Sequence, residues 1–125
     1  MPLQTHLPPH WRERLLALLL CPVSPGGMVL LDAWERAEGG RAQWNPLNTT
    51  EPLAGATDYN SAGVKNYPTP VAGISATALT LILQPYRHLW GDLQQGGFTA
   101  RELVERNEAA FNTWGTGASH ILALL

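Results

Sequence analysis

Glu38 is the carboxylate of this 125-residue chain whose setting most favours acid chemistry. It closes an apolar helical stretch and is followed at once by Gly39-Gly40. At 100° per residue, Leu31 and Gly27 fall within about 20° of Glu38, and Trp34 within about 40°. Asp32 and Arg36 share the opposite flank, spaced for a solvent-side i,i+4 pair. Glu38 thus projects from the apolar stripe, where desolvation disfavours its charged form. The helix C-terminus adds roughly half a negative charge, which disfavours another anion. Both effects raise the affinity of Glu38 for its proton, as a general acid near neutral pH requires. Breaking a glycosidic bond needs such an acid to protonate the leaving oxygen. The competing reading is a carboxylate at the exposed mouth of the last turn, with no function.

Other chemistries find less support. Glu35 lies about 60° from Glu38 and borders the polar flank, as a surface or supporting residue would. His6, His10, His88 and His120 form no H-x-x-x-H pair and have no cysteine partners, so no metal site is expected. There is no G-x-S-x-G elbow and no phosphate-binding glycine loop. Cys21, the single cysteine, excludes an intrachain disulfide and reads as an apolar core or turn residue. A thiol peptidase pairing Cys21 with His88 or His120 has no local signature.

The elements that must position Glu38 follow from caps and breakers. Residues 1–8 are a polar, proline-containing lead-in. Pro9 opens a helix whose Trp11, Leu15, Leu18 and Leu19 run to about Cys21, where Pro22 and Pro25 break it. Ser24 caps the next helix, which Pro25 begins and Glu38 ends, with a glycine free for the left-handed cap. Residues 41–68 lack a helical period and predict a long loop with a short β-hairpin around Tyr59–Tyr67. Thr69-Pro70 opens a helix with Val71, Ile74, Ala78, Leu81 and Ile82 on its apolar face, and Pro85 kinks or ends it. Tyr86–Gln95 is a further helical segment. Thr99-Ala-Arg-Glu102 is a capping box for a helix to about Phe111. Trp114-Gly-Thr-Gly117 forms a turn, and Ser119–Leu125 a closing helix. No repeat is visible.

The length fits one domain over residues 1–125. Only 14% of residues are charged, so the surface is polar through Asn, Gln, Thr, Ser and Gly. A net charge of −2 argues against nucleic acid as a partner. The Arg12–Cys21 stretch has a charged-then-apolar order, but its apolar run is short and Glu13 interrupts the charged part. It reads as a buried first helix and not as a cleavable signal peptide or membrane segment.

Four segments in order carry a resemblance: Trp34-Glu-Arg-Ala-Glu38-Gly-Gly, Asn45-Pro-Leu-Asn-Thr-Thr50, Tyr59-Asn-Ser-Ala-Gly-Val-Lys-Asn-Tyr67-Pro and Ala72-Gly-Ile-Ser-Ala-Thr77. Together they resemble lysozyme-like domains of phage and actinobacterial cell-wall lysins. More broadly, their order is similar to flagellar-type glucosaminidases and lytic transglycosylases. The resemblance covers about residues 28–117. It implies a mainly α-helical (α+β) lysozyme-like domain with a small β-hairpin beside an active-site groove. It also implies that Glu38 is the general acid and that Asn45, Asn48 and Thr49 flank the cleft. Tyr59, Lys65 and Tyr67 would belong to the hairpin and the turn after it. Tyr67 would face Glu38 or, alternatively, pack on the core. Trp44 would offer a further flat face to a glycan.

The second carboxylate stays open between Asp58, at the hairpin entrance, and Glu51, before Pro52. With neither, Glu38 would serve as acid and then base, as in a transglycosylase. The expected partner is the glycan strand of peptidoglycan, with no cofactor, cleaved by a phage lysin or a wall-remodelling enzyme. A lysozyme-like binding module or phage tail component without activity is the alternative. Action at the bacterial cell wall without an export signal would require delivery by a holin, a virion or a larger assembly.

Overall fold

The helix that ends in Glu38 is set by its two caps. In the computed structural model, which describes residues 6–125, α1 spans Trp11–Leu18 and α2 spans Pro25–Glu38. Ser24 Oγ accepts the Gly27 N–H at 3.1 Å, and Gly39 closes α2 in the left-handed region at φ 57°. Both ends therefore lie where the local signals predict them. The first turn of α2 runs against the backbone of residues 98–99. A Cβ at Gly26 would stand 1.9 Å from the Phe98 carbonyl oxygen, so only glycine permits this approach.

Two short strands follow, β1 (Thr57–Asp58) and β2 (Lys65–Asn66), paired antiparallel with Thr57 opposite Asn66 and Asp58 opposite Lys65. The expected hairpin is present, with a longer turn between shorter strands. Helix α3 (Pro70–Leu81) begins at a Thr69 cap whose Oγ1 accepts the Ala72 N–H. A 3-10 turn, Gln84–Tyr86, forms around Pro85 and leads into α4 (Arg87–Gln95). Then come α5 (Ala100–Glu105), α6 (Glu108–Trp114) and α7 (Ala118–Leu122). The fold among the described residues is mainly helical with one small antiparallel sheet.

The structure departs from the local reading at several places. One helix was expected from Thr99 to about Phe111. The capping box at Thr99 is complete, but Asn107 splits the helix. Its amide donates to the Leu103 carbonyl and to Asp92 on α4, and its backbone leaves the helical region. Side-chain bonding to the backbone has displaced the helical ladder there. The first helix ends at Leu18 and not at Cys21, because Leu20 turns left-handed at φ 60°. On α3, Ile74, Ala78 and Leu81 are buried as expected, whereas Val71 is exposed, as is Leu18 on α1, and the closing helix covers Ala118–Leu122 and not Ser119–Leu125.

Helix α2 packs against α5, α1 and α7, and α1 packs on α3. Leu30, Leu31, Ala33 and Trp34 of α2 are buried in a cluster with Leu15, Leu16, Leu103, Val104, Phe111 and Ile121. Fully burying one leucine of this kind contributes about 1.5–3 kcal/mol. Glu38 emerges at the end of this apolar stripe. No helix is long and apolar enough to cross a membrane among the described residues.

Candidate active site around Glu38

Glu38 is half-buried, and each of its carboxylate oxygens has a side-chain partner. Asn48 Nδ2 donates to Oε1 at 3.0 Å and also reaches the Glu38 carbonyl at 3.4 Å. Thr116 Oγ1 donates to Oε2. The indole N–H of Trp34, one turn back on α2, is buried without a hydrogen-bond partner of good geometry among the described residues, and it too favours the charged form of Glu38. Burial nevertheless dominates and holds the carboxyl above the ordinary glutamate range. The bonds from Thr116 and Asn48, the Trp34 indole and the charge of His120 on α7 lower it only in part.

Local geometry makes each of these contacts possible. Asn48 sits in the left-handed region at φ 58°, which asparagine tolerates better than most residues. A Cβ at Gly40 would stand 1.9 Å from Asn48 Oδ1, so the second glycine of the pair admits the Asn48 side chain. Thr116 is held between Gly115 and Gly117, with φ of 110° and 87°. That turn is fastened by the Gly117 N–H to the Phe111 carbonyl and the Ala118 N–H to Asn112 Oδ1.

Beside Asn48 lies a hollow of about 150 Å³ lined by Asn48, Thr49, Thr50, Thr80, Tyr86, Thr113 and Trp114. Its aromatic wall continues inward. Tyr86 meets Trp114 edge-on at 5.3 Å, Trp114 meets Trp34 at 4.9 Å, and Trp34 meets Phe111 at 4.9 Å. The Trp114 indole N–H donates to the Leu47 carbonyl and so ties the wall to the loop that carries Asn48. An apolar ring face rimmed by hydroxyls and an amide suits a small polyhydroxylated ligand.

The other residues singled out by the resemblance sit apart from Glu38. Asn45 is buried; its amide donates to the Thr49 and Lys65 carbonyls and its Oδ1 accepts the Thr49 N–H, so it braces the loop on the hairpin. Thr49 is buried as well, bonded through its hydroxyl to Thr80 Oγ1 at 2.6 Å, and it lines the hollow. Tyr67 adopts the core-packed alternative. Its hydroxyl donates to the Glu51 carbonyl at 2.6 Å, and burial followed by the Glu51 charge pushes the phenol up. Lys65 and Asp58 form an ion pair on the exposed hairpin, and Tyr59 is exposed at its turn. Trp44 presses its backbone on α3, where a Cβ at Gly73 would stand 1.6 Å from the Trp44 oxygen. The charge that acts most on Glu38 is that of His120 on α7, which lowers its carboxyl.

Thr116 and Trp114, read as turn residues, were not legible as parts of the site, nor were Tyr86, Thr80 and Thr113. Glycines on both sides of Thr116 were the available signal, since they fix a turn whose middle side chain must point somewhere definite. Glu35 lines a separate polar hollow of about 240 Å³ with His6, Arg36, Gly39, Gly40 and Arg41. Burial and the charge of Asp32 raise its carboxyl too, but no side-chain donor among the described residues fixes it. Cys21 is buried, donates to the Leu19 carbonyl at 3.5 Å, and burial pushes its thiol up to about 11, the opposite of an activated nucleophile. Among the described residues no group of three or more His, Cys, Asp or Glu is placed to hold a metal ion. No protein family, curated protein or solved structure matches this chain.

Proposed function

We propose that this chain cleaves the MurNAc–GlcNAc glycan strand of peptidoglycan, with Glu38 as the general acid on a lysozyme-like scaffold. One observation carries the reading. A half-buried carboxyl, raised by desolvation and hydrogen-bonded on both oxygens by Asn48 and Thr116, is joined through Asn48 to an aromatic-walled, hydroxyl-rimmed hollow. Desolvation favours the protonated form that a general acid needs, and the two hydrogen bonds hold the carboxyl in one orientation for the leaving oxygen. Asp58 is paired with Lys65 on the hairpin, which favours a single-acid route over a two-carboxylate hydrolysis. Glu38 then protonates the leaving oxygen and afterwards, as a carboxylate, takes a proton from the attacking hydroxyl. A sugar hydroxyl in that role gives an anhydro end, and water gives a reducing end.

The engagement of Asp58 with Lys65 also favours a second reading, a glycan-binding or phage tail module on this scaffold without activity. Clearing of purified cell walls separates the two. Wild type is expected to clear them and Glu38→Gln to lose at least 100-fold, the usual weight of a general acid. Equal clearing by Glu38→Gln would refute the proposal, and no clearing by either would favour the binding module. Mass spectrometry of the released fragments, anhydro against reducing ends, assigns the reaction type. The site of action would be the bacterial cell wall, reached as a lysin or a wall-remodelling factor.

A further inference from the structure

The two partners of Glu38 are chemically unequal. Asn48 presents its amide nitrogen to two acceptors at once, Oε1 and the carbonyl of Glu38, so the nitrogen and not the oxygen must face this residue. An amide N–H only donates. When Glu38 is protonated, Oε1 already accepts the Asn48 N–H, which favours the other oxygen for the proton. Oε2 faces a hydroxyl, which can donate to a carboxylate or turn and accept from a carboxylic acid. We propose that Thr116 is a positioning residue that keeps the acid proton of Glu38 on Oε2, accepting it in the acid form and donating back to the carboxylate.

This inference rests on Glu38 being the general acid. Its consequence is directional: the leaving oxygen of the substrate must approach from the Thr116 side. There the Oε2–H bond breaks, its electron pair stays on the carboxylate, and the proton passes to the leaving oxygen as the glycosidic C–O pair departs with that oxygen. The Thr116 hydroxyl then rotates and donates to Oε2, losing no proton of its own. The turn that carries Thr116 is anchored on α6 by the Gly117 N–H to the Phe111 carbonyl and the Ala118 N–H to Asn112 Oδ1. Other groups also act on this carboxyl: Trp34 from its own helix, Asn48 from the loop and His120 from α7.

The test is a titration of the Glu38 side-chain carbon by ¹³C NMR, its signal assigned by its absence in Glu38→Gln. Thr116→Val keeps the shape and removes the donor to the carboxylate. The proton affinity of Glu38 is expected to rise roughly tenfold, the low end for a charge-assisted hydrogen bond. Thr116→Ser is expected to bring it back to within about a factor of two of wild type, since it restores the donor. His120→Gln reports the separate effect of the α7 charge. Thr116→Ala serves in place of Thr116→Val if the β-branched side chain disturbs the turn. In wall clearing, the alkaline limb of the pH profile moves upward in Thr116→Val, because the acid stays protonated to higher pH. An unshifted titration in both Thr116→Val and Thr116→Ala, or no recovery in Thr116→Ser, overturns the inference. Full clearing by Glu38→Gln would instead overturn the function and leave the titration result standing.

Discussion

A carboxyl raised by burial makes the folded state hold a proton that the unfolded chain has already released. For Glu38 the linkage therefore runs against stability as pH rises. Below the unfolded glutamate value of about 4.3 both states are protonated and there is no penalty. Above it the penalty grows until the pH passes the raised folded value, and it persists at neutral pH. Glutamine cannot ionise, yet its oxygen can accept from Asn48 and its amide can donate to Thr116. Glu38→Gln is thus expected to be more stable than wild type at pH 7 and equal to it at about pH 4, by urea unfolding at both. A variant less stable at pH 7 would mean that the hydrogen bonds outweigh desolvation. Gly40→Ala probes the neighbouring contact. Its Cβ would meet Asn48 Oδ1, so wall clearing should fall steeply while stability drops by about 1–3 kcal/mol.

Between elements, the main polar fastening lies away from Glu38. Asp92 of α4 is buried and takes two bonds from Arg106, at 2.9 and 3.1 Å, and one from Asn107 at 3.0 Å, while His88 Nδ1 stands 2.7 Å from Asn107 Oδ1. Burial alone would raise Asp92, but its bonds to Arg106 and Asn107 and the charges of His88 and Arg106 outweigh that and hold the carboxyl below its usual range. The sign is opposite to that of Glu38. This contribution is complete above the unfolded aspartate value of about 3.9 and is lost as pH falls through the lower folded value. Asp92→Ala is expected to cost about 3 kcal/mol at pH 7, and less at acid pH, because it removes the buried carboxylate to which Arg106 and Asn107 both donate. Thermal unfolding at pH 7 and pH 3 checks both statements. The site itself depends on the last turns of α2 and α6 and on the loop between α2 and the hairpin, which Trp114 joins through Leu47.

Across the whole molecule, Trp114 links α2, α6, the 3-10 turn and the site loop through one indole. Trp114→Ala is expected to destabilise the fold by about 3 kcal/mol and to abolish wall clearing even at temperatures where the variant is folded, as judged by circular dichroism. Retained activity would remove the aromatic wall from the proposed cleft. The sequence by itself determined what depends on neighbours within a turn or two. Ser24-Pro25 and Gly39-Gly40 bound α2, the capping box starts α5, and helical periodicity puts Glu38 on the apolar side. These rest on caps, left-handed φ and 100° per residue, all of which are local. Only the tertiary structure decided which groups meet Glu38. Thr116 lies 78 residues away, and nothing in its own turn distinguishes a hydroxyl bound to a carboxylate from one bound to water. Asn45, Asn48 and Thr49 look alike as polar loop residues, yet closure of the loop on the hairpin commits Asn45 to backbone carbonyls and leaves Asn48 to the carboxylate. Tyr67 likewise went to the Glu51 carbonyl. A polar side chain takes whichever unsatisfied partner the packed fold brings within about 3 Å, and that choice is made by contacts distant in sequence.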